Sequence, residues 1–169
     1  MARAALAVWR PTEADVQEEY LRQAIELAVE NVKKGGGPFA ALVVRDGVVI
    51  ASGANQVTTS NDPTAHAEVV AIRHACRALN TFQLNGCEIY SSCEPCPMCL
   101  GAIYWARPEG VYYGATREDA ARFGFDDSFI YQQLVLAPSE RAIPCAALPC
   151  DGASRPFEAW AQLENKIRY

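Results

Sequence analysis

Positive charge is scarce in this 169-residue chain. Only three of its 15 basic residues are lysines, and Lys33-Lys34 is their longest run. Against 20 acidic residues the formal net charge is −5, with a pI of about 5.1. A protein that grips a phosphate backbone needs a basic patch to displace counterions, so this balance argues against nucleic acid as a partner. Long apolar runs are missing as well: none approaches the roughly 20 residues of a membrane-spanning helix, and a soluble protein is expected. Met1 to Val8 carries Arg3 and a short apolar stretch but lacks the apolar length and cleavage pattern of a signal peptide. Residues 1–16 read as a short N-terminal arm before one domain over 17–169. A disulfide framework is the third absence. The seven cysteines are odd in number and several cluster, which fits thiolate ligands in a reducing compartment, so the cytoplasm is expected. No internal repeat or low-complexity stretch breaks the chain.

Apolar residues Leu21, Ala24, Ile25, Ala28 and Val32 recur at helical spacing and predict a helix over about Val16 to Val32, ended by Gly35-Gly36-Gly37-Pro38. Those glycines read as loop punctuation, since no phosphate-loop pattern surrounds them. Phe39–Arg45 and Val48–Ser52 flank Asp46-Gly47, the signature of a two-residue hairpin. The polar stretch from Asn55 to Asn61 reads as a loop. Asp62-Pro63 then suits an N-cap and first helical position before a helix run from Ala65 to Leu79. Further strands are expected at Cys87–Ser92, Val111–Ala115 and Ile143–Leu148. Helices are expected at Pro97–Trp105, Arg117–Phe123 and Phe157–Lys166. Strands alternating with helices argue for an α/β fold, a three-layer α/β/α sandwich around a central mixed five-stranded sheet.

The densest chemistry lies in Cys93-Glu94-Pro95-Cys96-Pro97-Met98-Cys99, with His66-Ala67-Glu68 upstream. One imidazole and two thiolates suit Zn²⁺. Three protein ligands leave a fourth tetrahedral position for water, as in catalytic sites. Both motifs begin predicted helices, whose N-terminal N–H groups favour thiolate over thiol. Zinc brings the pKa of its water to around 7, and a neighbouring carboxylate, Glu68, can move the protons that hydrolytic loss of an amino group requires. A closed structural site with Cys93 as fourth ligand is the competing reading. His74 reads as solvent-facing or capping.

His66-Ala67-Glu68 followed by Pro95-Cys96-Pro97-Met98-Cys99 resembles the H-x-E and P-C-x-x-C signature of the zinc-dependent nucleobase deaminases. The likeness extends through Asn61–Glu68, Ser92–Arg107 and Gly124–Tyr131 to the small bacterial guanine deaminases of the cytidine deaminase fold, covering roughly Leu21 to Tyr169. It implies that His66, Cys96 and Cys99 hold one zinc ion per subunit and that Glu68 shuttles protons. It further implies that Asn55 hydrogen-bonds the purine, Phe39 lines the base, Asp127 approaches the guanine edge, and Tyr169 is the family's terminal tyrosine. A homodimer follows from the same likeness, with a C-terminal segment of about 143–169 exchanged between subunits. The register set by Pro95 leaves Cys93 as a small buried neighbour. Guanine suits an acceptor-only carboxylate because its ring nitrogen and exocyclic amine present N–H donors. The expected reaction is therefore hydrolysis of guanine to xanthine and ammonia. Rival readings are deamination of guanosine, cytosine or a triazine, adenosine editing in tRNA, or a zinc-stabilised interaction domain.

Overall fold

The structure, a computed structural model, describes residues 12–169. Most of the expected arm over 1–16 lies outside the described residues, and Glu13 already belongs to the first helix. Helix α1 (Glu13–Lys33) opens on a capping box: Asp15 N–H donates to Thr12 Oγ1 at 3.2 Å and Thr12 N–H donates back to Asp15 Oδ2 at 2.8 Å. This reciprocal pair starts the helix three residues earlier than apolar periodicity alone predicts. Chain contacts divide the protein into two compact units, one running through Asp126 and the other spanning Asp127–Tyr169.

In the first unit, strands β1 (Ala40–Arg45) and β2 (Val48–Ala54) form the expected hairpin. Its turn has positive φ at both Asp46 (51°) and Gly47 (75°), the conformation that Asp-Gly favours and most residues resist. After β2 come the short helix α2 (Val57–Ser60), helix α3 (Ala67–Leu79), strand β3 (Cys87–Cys93), helix α4 (Pro97–Ala106), strand β4 (Gly110–Ala115) and helix α5 (Arg117–Ala121). The sheet order is β2-β1-β3-β4. The β1 pairings are antiparallel and β3–β4 is parallel, so the sheet is mixed.

Strand alternation divides the core between two faces. Ala41 and Val43 of β1 and Ile89 of β3 pack with Ala67, Ala71 and Ala75 of α3 and with Ile103 and Ala106 of α4. Leu42, Val44 and Tyr90 point the other way, against Ala24 of α1. On that side Tyr90 lies between Tyr20 and Tyr112, with ring centroids 5.0 Å from each. Helices therefore cover both faces, and the α/β/α sandwich is the observed fold.

Three expectations need correction. The described sheet has four strands, not five: Ile143–Leu148 forms no strand, because Pro144 and Pro149 remove ladder donors and Cys145-Ala146-Ala147 lacks apolar alternation. Asp62 does not cap α3. Its Oδ1 instead accepts from Thr64 N–H at 2.8 Å and Thr64 Oγ1 at 2.7 Å, closing a local turn, and the helix begins only at Ala67. The stretch Asn55–Asn61 is not wholly loop, since it contains α2.

The second unit holds helix α6 (Ser128–Leu134), a 3₁₀ turn at Pro138–Glu140 and helix α7 (Arg155–Gln162). Within it, Ala142 N–H donates to Gln133 Oε1 at 2.6 Å, and the Trp160 and Tyr169 rings meet edge to face at 6.5 Å. Among the described residues no helix is long and apolar enough to cross a membrane.

Candidate metal centre

The delayed start of α3 shapes the site. His66 becomes the N-cap, in extended conformation (φ −68°, ψ 154°), so its imidazole projects from the end of the helix. Cys96 occupies the same position on α4 (φ −65°, ψ 168°), with Pro97 at the first helical position and Cys99 on the first turn. Two helix N-termini thus converge on one point. His66 Nδ1 lies 3.5 Å from Cys96 Sγ and 3.5 Å from Cys99 Sγ, and the three donor atoms fall within 4.8 Å of one another. A tetrahedral zinc with bonds of about 2.3 Å to sulfur and 2.0–2.1 Å to nitrogen sets S···N separations of about 3.5 Å, so the donor spacing fits that ion.

The protonation chemistry fits a cation as well. A hydrogen bond from Cys99 pushes the Cys96 thiol well below its ordinary pKa, and the same bond holds the Cys99 thiol above its own. The hydrogen bond with Cys96 likewise raises His66. Two adjacent sulfurs that resist joint ionisation form a donor pair that a divalent cation relieves.

Glu68 sits at the second position of α3, with the residue only 6% exposed. Burial pushes its carboxyl above the usual carboxylate range, while hydrogen bonds from its own backbone amide, Cys99 and Ser91 work against that rise. Ser91 Oγ donates to Glu68 Oε1 at 3.0 Å. Two residues apart in mid-helix, His66 and Glu68 would face different ways. At the helix start, the extended backbone of His66 lets both approach Cys99.

Asn55 is buried beyond the end of β2. Its Oδ1 accepts from Val57 N–H at 3.2 Å, which commits that oxygen and leaves Nδ2 as the donor end. Phe39, half-buried before β1, meets Phe125 edge to face at 5.0 Å and packs on the core beneath α3. Asp127 is the N-cap of α6 and Tyr169 packs on Trp160, both in the second unit. Cys93 is buried at the end of β3, its Sγ 3.6 Å from the carbonyl of Thr116, and it stands outside the ligand cluster. His74 turns back to the sheet, with Nδ1 2.9 Å from the carbonyl oxygen of Ser52.

Two groups escaped the sequence reading. Ser91 was legible in principle, since it shares strand parity with Ile89 and so points to the α3 face. Asn31 left no signal: its side chain bridges the carbonyls of Gly37 and Asn55, a contact spanning 24 residues.

Comparison with known proteins places this geometry in context. The family described as the cytidine and deoxycytidylate deaminase zinc-binding region matches residues 14–115. Guanine deaminase of Bacillus subtilis is 56% identical over 153 residues, spanning 90% of this chain and 98% of that protein. The tRNA-specific adenosine deaminase of Aquifex aeolicus is 43% identical over 99 residues, 59% of this chain and 66% of that protein. Among solved structures, guanine deaminase from B. subtilis superposes with a TM-score of 0.88 at 56% identity, covering 90% of this chain and 98% of that one. Guanine deaminase from Nitrosomonas europaea gives a TM-score of 0.63 at 31% identity, covering 75% and 79%. The chain therefore belongs to the zinc-binding cytidine and deoxycytidylate deaminase family, alongside the small bacterial guanine deaminases.

Proposed function

We infer that this protein hydrolyses guanine to xanthine and ammonia. The observation that carries this reading is the reach of the similarity. The tRNA deaminase of A. aeolicus matches 59% of the chain, whereas the B. subtilis guanine deaminase matches 90% of it. A deficit of lysine and a net charge of −5 also set it apart from a protein that binds a folded RNA.

His66, Cys96 and Cys99 would hold the zinc, which supplies Lewis-acid activation of water when bound. Glu68 would take a proton from the attacking water and deliver it to the ring nitrogen beside the amino-bearing carbon. It then carries the second proton to the departing amine, so that water adds and ammonia leaves with no net change in protonation of the enzyme. Burial raises the carboxyl's pKa and so eases the protonated form through which this alternation passes. Ser91 holds one carboxylate oxygen, Oε1, in place. Asn55 donates through Nδ2 to an acceptor on the purine, Phe39 lines the base, and Asp127 accepts from the guanine N–H edge. Tyr169 and residues 143–169 cover the site of a neighbouring subunit in a homodimer, and the enzyme works in the cytoplasm.

The test is a substrate panel with zinc-loaded protein, scored by ammonia release. Guanine is expected to lead guanosine, cytosine, a triazine and adenosine in tRNA. Brisk turnover of another member with none of guanine would overturn the assignment. Light scattering in solution checks the dimer.

A further inference from the structure

We propose that Asn31 is a positioning residue for substrate recognition, acting from the last turn of α1 to hold Asn55; this rests on the reading of Asn55 as the purine donor. Both N–H groups of the Asn31 carboxamide are committed. Nδ2 donates to the carbonyl of Gly37 at 2.8 Å and to the carbonyl of Asn55 at 2.8 Å. Gly37 O also accepts from Phe39 N–H, and Phe39 O accepts from Asn55 N–H, each at 2.9 Å. The four residues form a closed hydrogen-bonded ring that ties the backbone of the two expected purine contacts, Phe39 and Asn55, to one side chain.

The glycines before Phe39 acquire a specific purpose here. A methyl group at Gly36 would overlap the Asn31 carboxamide, and one at Gly37 would come within 2.9 Å of Asn55 Oδ1. The backbone thus runs close over both amides, so neither can swing away from its partners. Asn31 is further anchored through its own carbonyl, which accepts from Lys34 and Gly36 N–H at 3.0 Å. Sequence reading takes these glycines only as helix-ending punctuation. They also make room for the two amides.

Asn31 lies in none of the deaminase motifs and touches neither the metal donors nor Glu68. Its loss should loosen substrate binding and leave chemistry at the metal largely intact. Steady-state kinetics on guanine with zinc-loaded protein test this on Asn31→Ala, Asn31→Asp, Gly36→Ala and Asn55→Ala, and on the Asn31→Ala/Asn55→Ala double variant. Asn31→Asp keeps the size but loses the donors, and Gly36→Ala displaces an unaltered Asn31, so the test survives if one variant fails to fold. For Asn31→Ala, Asn31→Asp and Gly36→Ala, KM should rise about tenfold while kcat stays within about threefold and zinc content is unchanged. In the Asn55→Ala background, Asn31→Ala should add less than about twofold, because the two act through one contact. A loss of kcat at constant KM, or full multiplication of the two single effects, would overturn the proposal. A loss with Asn55→Ala that Asn31→Ala and Gly36→Ala fail to share would overturn it while leaving the role of Asn55 intact. Wild-type kinetics in Asn55→Ala would remove the premise itself.

Discussion

At the scale of single residues, the site is built from groups whose ordinary chemistry is altered by close neighbours. Glu68 is the clearest case: burial raises its carboxyl while Ser91 and nearby donors oppose the rise. Glu68→Gln keeps the shape and removes the proposed proton carrier. Turnover should fall by about 10²–10⁴-fold, the usual worth of general acid–base catalysis, with zinc still bound. Kinetics paired with metal analysis check this, and a near-wild-type rate would refute the proton-shuttle role. Ser91→Ala removes one donor from the same carboxylate. A hydrogen bond to a charged group is worth about 1.5–3 kcal/mol, so kcat should drop about tenfold or more with KM little changed. The identity of the chemical groups was readable from residue types and spacing alone, because imidazole, thiolate and carboxylate carry their chemistry wherever they are placed. Strand parity gave the face that Ser91 points to but not its partner Glu68, 23 positions away, and the contact of Asn31 with Asn55, 24 positions away, left no trace.

At the scale of elements, everything turns on where α3 and α4 begin. The expected start at Asp62-Pro63 would have buried His66 inside a helix. The turn closed by Asp62 and Thr64 postpones the helix, and His66 becomes its cap. Helix α3 is held in place by very close packing on β2. Gly53 faces it, and a methyl group there would collide with the backbone of Ala67 and Ala71. Neither backbone atom can rotate aside, so Gly53→Ala should displace the N-terminal turn of α3. A destabilisation of about 1–3 kcal/mol is expected from overpacking, along with weaker zinc retention because Ala67 lies between His66 and Glu68. Denaturant unfolding and metal analysis of the same preparation test both effects; wild-type stability would mean that the helix can move without cost. Helix and strand positions in the first unit were largely legible because their periodicities are local. Ile143–Leu148 misled because composition alone resembled a strand, while Pro144 within it and Pro149 after it already argued otherwise.

At the scale of the whole molecule, zinc should couple activity to stability. The ligands come from two helices on one face of the sheet, separated by 30 and 33 residues, so an ion bridging them favours the folded chain over the unfolded one. Removal by a chelator should abolish turnover and lower the melting temperature, and added zinc should restore both. Full activity in metal-free protein would exclude the proposed chemistry. The sequence by itself determined the donor set, the carboxylate of Glu68 as the candidate proton carrier and the layered α/β fold, because these follow from residue chemistry, local spacing and the alternation of strands with helices. Only the tertiary structure decided that the donors meet at 3.5 Å, that Glu68 is buried beside them, and that Asn31 holds Asn55. Those outcomes depend on which helix start packs against which strand, and such long-range contacts leave no periodic trace in the chain.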